Sequence, residues 1–178
     1  MKKVIVPVLL VLCFLTFSCG SKEKKDDEVK VAENETVDMT IKFKYDKEDI
    51  FKVYYTKAEN ATIDGSLMMT LPVHPSNDYQ EITFVFPIGD YPKLIRLDVG
   101  SNQEAKTIEI KNIKIQQGEN VIDNSDWIKT QNWSPNESLV LNEKTKNYNI
   151  TAVNGTKVPV FMSNIIIKDK MDKYFKSR

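Results

Sequence analysis

The chain has 178 residues, of which 41% are hydrophobic and 28% charged, and its 25 basic and 25 acidic side chains cancel. This length suits one modest domain plus a targeting segment. Zero net charge supplies no field to hold nucleic acid, so no nucleic-acid partner is expected, and one histidine among two cysteines is too few for a His-rich metal site or a catalytic triad.

Lys2 and Lys3 precede a nearly continuous apolar run from Val4 to Leu15. A positive start followed by an apolar run of ~7–15 residues is the pattern of a secretory signal. A membrane span needs about 20 apolar residues, and Pro7 further weakens the run as a long helix. Next come Thr16, Phe17, Ser18 and Cys19, a small residue directly before a cysteine at the end of the run. This junction resembles the lipobox of bacterial lipoproteins, in which the thiol takes a diacylglyceryl group and the leader is cut before the cysteine. Thr16 stands where that family usually has leucine, and the looser form resembles lipoproteins of the Bacteroidetes. The resemblance implies a signal peptide over 1–18, lipidation at Cys19, and a protein anchored by its lipid to the outer membrane. Cys13 is a poorer candidate, because bulky Leu12 precedes it. With Cys13 removed and Cys19 alkylated, the mature chain has no free thiol for a disulfide, a nucleophile or a Cys-based zinc site.

Residues 20–36, GSKEKKDDEVKVAENET, carry no large apolar residue except two valines, and predict a solvated tether. Within it, Lys24-Lys25-Asp26-Asp27-Glu28 resembles the Lys-plus-acidic export signal of surface-exposed Bacteroidetes lipoproteins.

From residue 37 the apolar positions alternate. Val37, Met39, Ile41, Phe43 and Tyr45 predict a half-buried strand. Phe51, Val53 and Tyr55 follow in phase, which turns Tyr54 the other way. Leu67, Met69, Leu71 and Val73 form another strand, and Pro72 predicts that it lies at a sheet edge or ends there. Ile82, Phe84, Phe86 and Ile88 share a face, as do Ile95, Leu97 and Val99, with Arg96 and Asp98 outward. In TIEIKNIKI the phase slips between Ile110 and Ile113, which predicts a bulge or a bend at Lys111-Asn112, as where a strand turns a corner between sheets. Gly118-Glu119-Asn120 is a turn, and residues 123–146 are loop-rich. KNYNITAV and KVPVFMSNIIIK predict two final strands joined at Asn154-Gly155, a two-residue hairpin turn. No stretch shows sustained helical periodicity. The expected fold is all-β, an antiparallel β-sandwich or barrel over residues 37–170, followed by a charged tail at 171–178.

The order DIFKVYYT, EITFVFPI, PKLIRLDVG and IEIKNIKI resembles the jelly-roll-like β-sandwich domains attached to bacterial polysaccharide-synthesis and membrane glycosyltransferase proteins, which are themselves similar to carbohydrate-binding modules. The resemblance is best over residues 37–116 and brings no catalytic signature. It implies a jelly-roll-like sandwich with a glycan-binding or assembly role.

Candidate chemistry is sparse. His74 lies between two prolines and reads as an exposed loop residue. The carboxylates able to serve a glycosidase lie in expected loops: Asp46, Glu48, Asp49, Asp90, Asp123 and Asp126. Asp123, Asn124 and Asp126 cluster oxygen ligands of the kind calcium takes, and also suit an ordinary turn. Trp127, Trp133 and Tyr54 are the aromatic candidates for glycan contact, since sugars lay apolar C–H faces on flat rings; the competing role for both tryptophans is to plug the end of the sandwich. The reading is a non-catalytic, cofactor-free envelope lipoprotein that binds glycan or a partner protein. The alternatives are an assembly subunit of an envelope complex and, third, a polysaccharide hydrolase.

Overall fold

The structure is a computed structural model, and it describes residues 36–58, 61–125 and 132–175. Cys13, Cys19 and the tether to residue 35 lie outside the described residues, as do Asp126 and Trp127.

Among the described residues, eleven strands form two antiparallel sheets. They are β1 (Asp38–Tyr45), β2 (Asp49–Thr56), β3 (Met68–Val73), β4 (Ser76–Val85), β5 (Leu94–Asp98), β6 (Thr107–Gln117), β7 (Asn120–Asp123), β8 (Trp133–Pro135), β9 (Leu139–Asn142), β10 (Asn147–Ile150) and β11 (Val160–Ser163). Sheet A runs β4-β1-β6-β10-β9, with β7 also paired to β6; sheet B runs β3-β2-β5-β11-β8. Position by position, chain neighbours face each other across the sandwich: β4 and β3, β1 and β2, β6 and β5, β10 and β11, β9 and β8. The chain is thus a ribbon of strand pairs rolled around one core: the antiparallel sandwich expected from the alternation, in the jelly-roll-like form that the resemblance implies.

Period-two patterning explains the core. Met39, Ile41, Phe43 and Tyr45 from sheet A and Phe51, Val53 and Tyr55 from sheet B all point inward and are buried. Each such side chain contributes ~1.5–3 kcal/mol by leaving water. Aromatic pairs join the sheets: Phe43 and Phe51 have ring centroids 4.9 Å apart, and Tyr148 and Phe161 5.1 Å.

Two local expectations are met closely. β3 is an edge strand, so Pro72 interrupts no interior ladder. In β6 the register passes from Lys42 opposite Asn112 to Phe43 opposite Ile110, which leaves Lys111 bulged and returns Ile108, Ile110, Ile113 and Ile115 to one buried face. The strand stays in sheet A on both sides of the bulge, so the slip is a bulge within one sheet and not a corner between two.

The last expected strand is corrected. KVPVFMSNIIIK ends as β11 at Ser163, and residues Ile165–Tyr174 form helix α1. Asn164 adopts an extended backbone and its side-chain oxygen accepts from the Ile166 and Ile167 N–H groups, which starts the helix. Ile167, Met171 and Phe175 recur at helical spacing and are buried, so residues 171–175 of the expected tail pack against the core. Two short strands, β8 and β9, also occupy the expected loop region.

The sandwich has two distinct ends. The chain enters β1 at Val37, whose carbonyl accepts from Phe86 N–H just past β4. At this entry end lie the finish of β2, the start of β5, the Gly118 turn and the start of α1. The far end carries the β1–β2, β3–β4, β5–β6 and β10–β11 connections.

Candidate functional site

The outer face of sheet B carries a continuous row of side chains. Register places Met68, Tyr54, Arg96, Met162 and Ser134 side by side on five adjacent strands. At about 4.8 Å per strand the row is roughly 19 Å long. Arg96 Nε and Nη2 donate to the two Asp98 carboxylate oxygens at 2.7 and 2.8 Å. This fork holds the guanidinium flat, and its carbon lies 5.2 Å from the centre of the Tyr54 ring. Tyr54 is half-buried and Met68 is exposed. The result is a flat, polarisable strip with its charge internally balanced, flanked by two adaptable thioethers.

The outer face of sheet A is built differently. Lys42 pairs with Glu81 at 2.8 Å, and the Thr40 and Thr83 hydroxyls meet at 2.9 Å. Tyr79 is half-buried beneath two lysines, with Lys44 Nζ 4.4 Å and Lys111 Nζ 4.9 Å from its ring centre. Its hydroxyl donates to Glu109, and that bond, with some burial, pushes the phenol up to about 12. The bulge aims Lys111 at this ring, a consequence that strand phase alone does not reveal.

At the far end the loops are tied together by side chains. Asp49 accepts from Ile50 N–H at 2.8 Å, Ser101 N–H at 2.9 Å, Asn102 N–H at 2.8 Å and the Tyr45 hydroxyl at 2.8 Å. Burial would raise this carboxyl, but the Asn102, Ser101 and Ile50 amides and the Tyr45 hydroxyl overcome it and hold it below its ordinary value. Burial and the bond to Asp49 push the Tyr45 phenol well up, so it stays a donor. Gln103 accepts from Lys157 N–H at 2.9 Å and donates to Lys157 O, while Lys157 Nζ donates to Ala105 O. These contacts fasten the β5–β6 loop to both the β1–β2 and β10–β11 connections.

The sequence candidates fall out as follows. Trp133 is only 4% exposed: β8 turns it inward opposite Ser163, so it presents no ring to a glycan and serves the core. Tyr54 is on the outer face, with the Arg96 guanidinium over one face of its ring. Trp127 lies outside the described residues. Asp123 is exposed, whereas Asn124, just past β7, is buried, with its oxygen taken by the Asn132 amide and its own amide donating to Ile113 O. Asn124 therefore fastens the ends of the 125–132 connection, and Asp126 lies outside the described residues. Among the described residues no group of three or more His, Cys, Asp or Glu is placed to hold a metal.

His74 is exposed, with Nδ1 3.8 Å from Glu48. Of the carboxylates, Asp49 is committed to the loop amides, and Asp90 accepts from the Tyr55 hydroxyl at 2.5 Å and Lys57 at 2.9 Å. Asp46, Glu48 and Asp123 are exposed.

No family model, curated protein or solved structure matches this chain.

Arg96 and Asp98 were legible as outward residues from their alternation. Their union with Tyr54, Met68 and Met162 was not, because it needs the order of strands in sheet B.

Proposed function

We propose that this chain is a lipid-anchored protein of the bacterial cell envelope, held at the outer membrane through Cys19 and the tether of residues 20–36, and that its sandwich is a non-catalytic module that binds a partner protein. The anchor rests on the leader residues Lys2, Lys3, Val4–Leu15 and Ser18-Cys19. The observation that carries the binding reading is the Tyr54–Arg96–Asp98 stack set between Met68 and Met162 on the flat face of sheet B. Arginine, tyrosine and methionine are the residue types enriched where protein surfaces meet. Arg96 lies over one face of the Tyr54 ring and Trp133 is buried, which reduces the aromatic surface a sugar could stack on. The geometry therefore favours a protein contact over the glycan contact. Asp49 and Asp90 hold loops in place, which supports a structural rather than a hydrolytic role for them.

The test is site-specific photocrosslinking in the native envelope. A photoreactive residue at Met162 gives one discrete protein adduct that is lost with Tyr54→Ala, and the same residue at Lys114 on sheet A gives none. Equal, diffuse adducts at both positions refute the assigned face. Binding on a glycan array that depends on Tyr54 restores the glycan reading. Intact mass of the mature protein tests the anchor separately, and an unmodified Cys19 rejects it.

A further inference from the structure

The described residues include ten exposed large apolar side chains, and their placement is uneven. Six of them ring the entry end: Met68, Val85, Ile88, Val121, Ile165 and Ile166. Val85 and Val121 close the last row of sheet A, through Asp38 and Gln116. Met68 stands opposite Tyr54 near the end of β2. Ile88 lies in the turn that carries the chain from β4 to β5 and is 68% exposed. Ile165 and Ile166 are 62% and 43% exposed, in the first turn of α1.

That turn is costly as built. β-Branched residues lose rotamer freedom in a helix, and only Ile167 of the three successive isoleucines is buried. Neither helix propensity nor core packing accounts for Ile165 and Ile166. The helix itself is firmly seated over this end: Asp172 takes Lys93 from just before β5 and Lys168 from its own face. The two isoleucines are therefore presented from a fixed support.

We propose that the entry end is a membrane-contact surface, whose apolar ring rests in the interfacial layer of the bilayer that holds the Cys19 lipid. This rests on the anchor reading above. The occupant follows from where the chain enters: the tether of residues 20–36 joins the sandwich at Val37, so a lipid on Cys19 is attached at this end, and the far end lies a sandwich length farther from that attachment. Apolar side chains that dip into the headgroup boundary gain by burial there. The far-end loops are then held outward, and the sheet B row stands beside the bilayer with Met68 at its rim.

The experiment uses the mature lipidated chain in phosphatidylethanolamine–phosphatidylglycerol vesicles containing a spin-labelled lipid. With the Cys19 thiol alkylated, a single new cysteine takes a fluorophore cleanly. Ile166→Cys reports the entry end, and Val158→Cys reports the far end. The proposal expects strong quenching by the spin-labelled lipid at position 166 and little at 158. It also expects that Val85→Ser with Ile165→Ser, all surface changes, lowers quenching at 166. Equal quenching at the two positions, or none at 166, overturns it. Shielding at 166 that grows only with protein density, without lipid quenching, assigns the ring to a second copy and also overturns it. The two readings fail separately. Intact mass showing an unmodified Cys19 removes the anchor and the proposal that stands on it, whereas a lipidated chain without differential quenching removes the proposal alone.

Discussion

Replacing Asp49 by asparagine tests how the far-end loops are held. The oxygen of an asparagine can keep the Ile50 and Ser101 amides, but Oδ2 becomes an amide that faces two further donors, Asn102 N–H and the Tyr45 hydroxyl. A hydrogen bond to a charged group contributes ~1.5–3 kcal/mol. Asp49 is partly exposed, so solvent screens about half of that. The expected loss for the two bonds together is about 1.5–3 kcal/mol. At ~2–4 °C per kcal/mol for a chain of this size, Tm falls by about 3–12 °C.

The pH dependence adds a second check. The folded carboxyl lies below its ordinary value of 3.8. Its contribution is therefore fully present above that value and is lost as pH falls through the lowered folded value. The gap between wild type and Asp49→Asn should stay constant from neutral pH down to about 4 and close below it. Thermal unfolding followed by circular dichroism at several pH values measures both. A variant within about 1 °C of wild type at neutral pH, or a gap that widens in acid, refutes the assignment.

Further outcomes are expected elsewhere in the molecule. Gly100→Ala should destabilise at least as much as Asp49→Asn in urea titration, because Gly100 has φ +94° and an added methyl would lie 2.6 Å from Asp49 Cγ and 2.9 Å from the Tyr45 hydroxyl oxygen. The double variant should cost less than the sum of the two, since both act on one contact. Trp133→Ala should cost about 3–5 kcal/mol in chemical denaturation, as for a core aromatic, whereas Tyr54→Ala should cost well under half of that. Asn164→Ala should cost about 1 kcal/mol and speed hydrogen exchange in the first turn of α1. In ultraviolet titration, the difference between wild type and Tyr79→Phe should show a phenol ionising near 12, and Glu109→Gln should bring that ionisation down.

The glycan reading shows where sequence reasoning reached its limit. Trp133 stands in a polar, loop-rich stretch, where the sequence left both a glycan contact and the preferred role of end plug open, and the plug is what the structure shows. Its burial follows from β8 pairing with β11, thirty residues away in the chain, which turns the ring inward. Ile165-Ile166-Ile167 likewise reads as strand, since β-branched residues favour extended backbone. The Asn164 cap and the Ile167–Met171–Phe175 spacing were present to signal a helix, and the helix is realised because those three side chains find the open end of the core.

What the amino-acid sequence determined by itself was local and periodic. Alternation set the inward face of each long strand, Pro72 marked an edge, the phase slip marked the Lys111 bulge, and Asn154-Gly155 marked a turn, both residues indeed taking positive φ. Each of these depends on backbone sterics or side-chain phase within a few residues. Only the tertiary structure decided which strands became neighbours. That order set Arg96 over Tyr54, fixed Asp49 to the amides of a loop fifty residues on, and gathered exposed apolar side chains at the end where the chain enters. Such juxtapositions depend on burying two apolar sheet faces against each other, a condition that no short window of sequence contains.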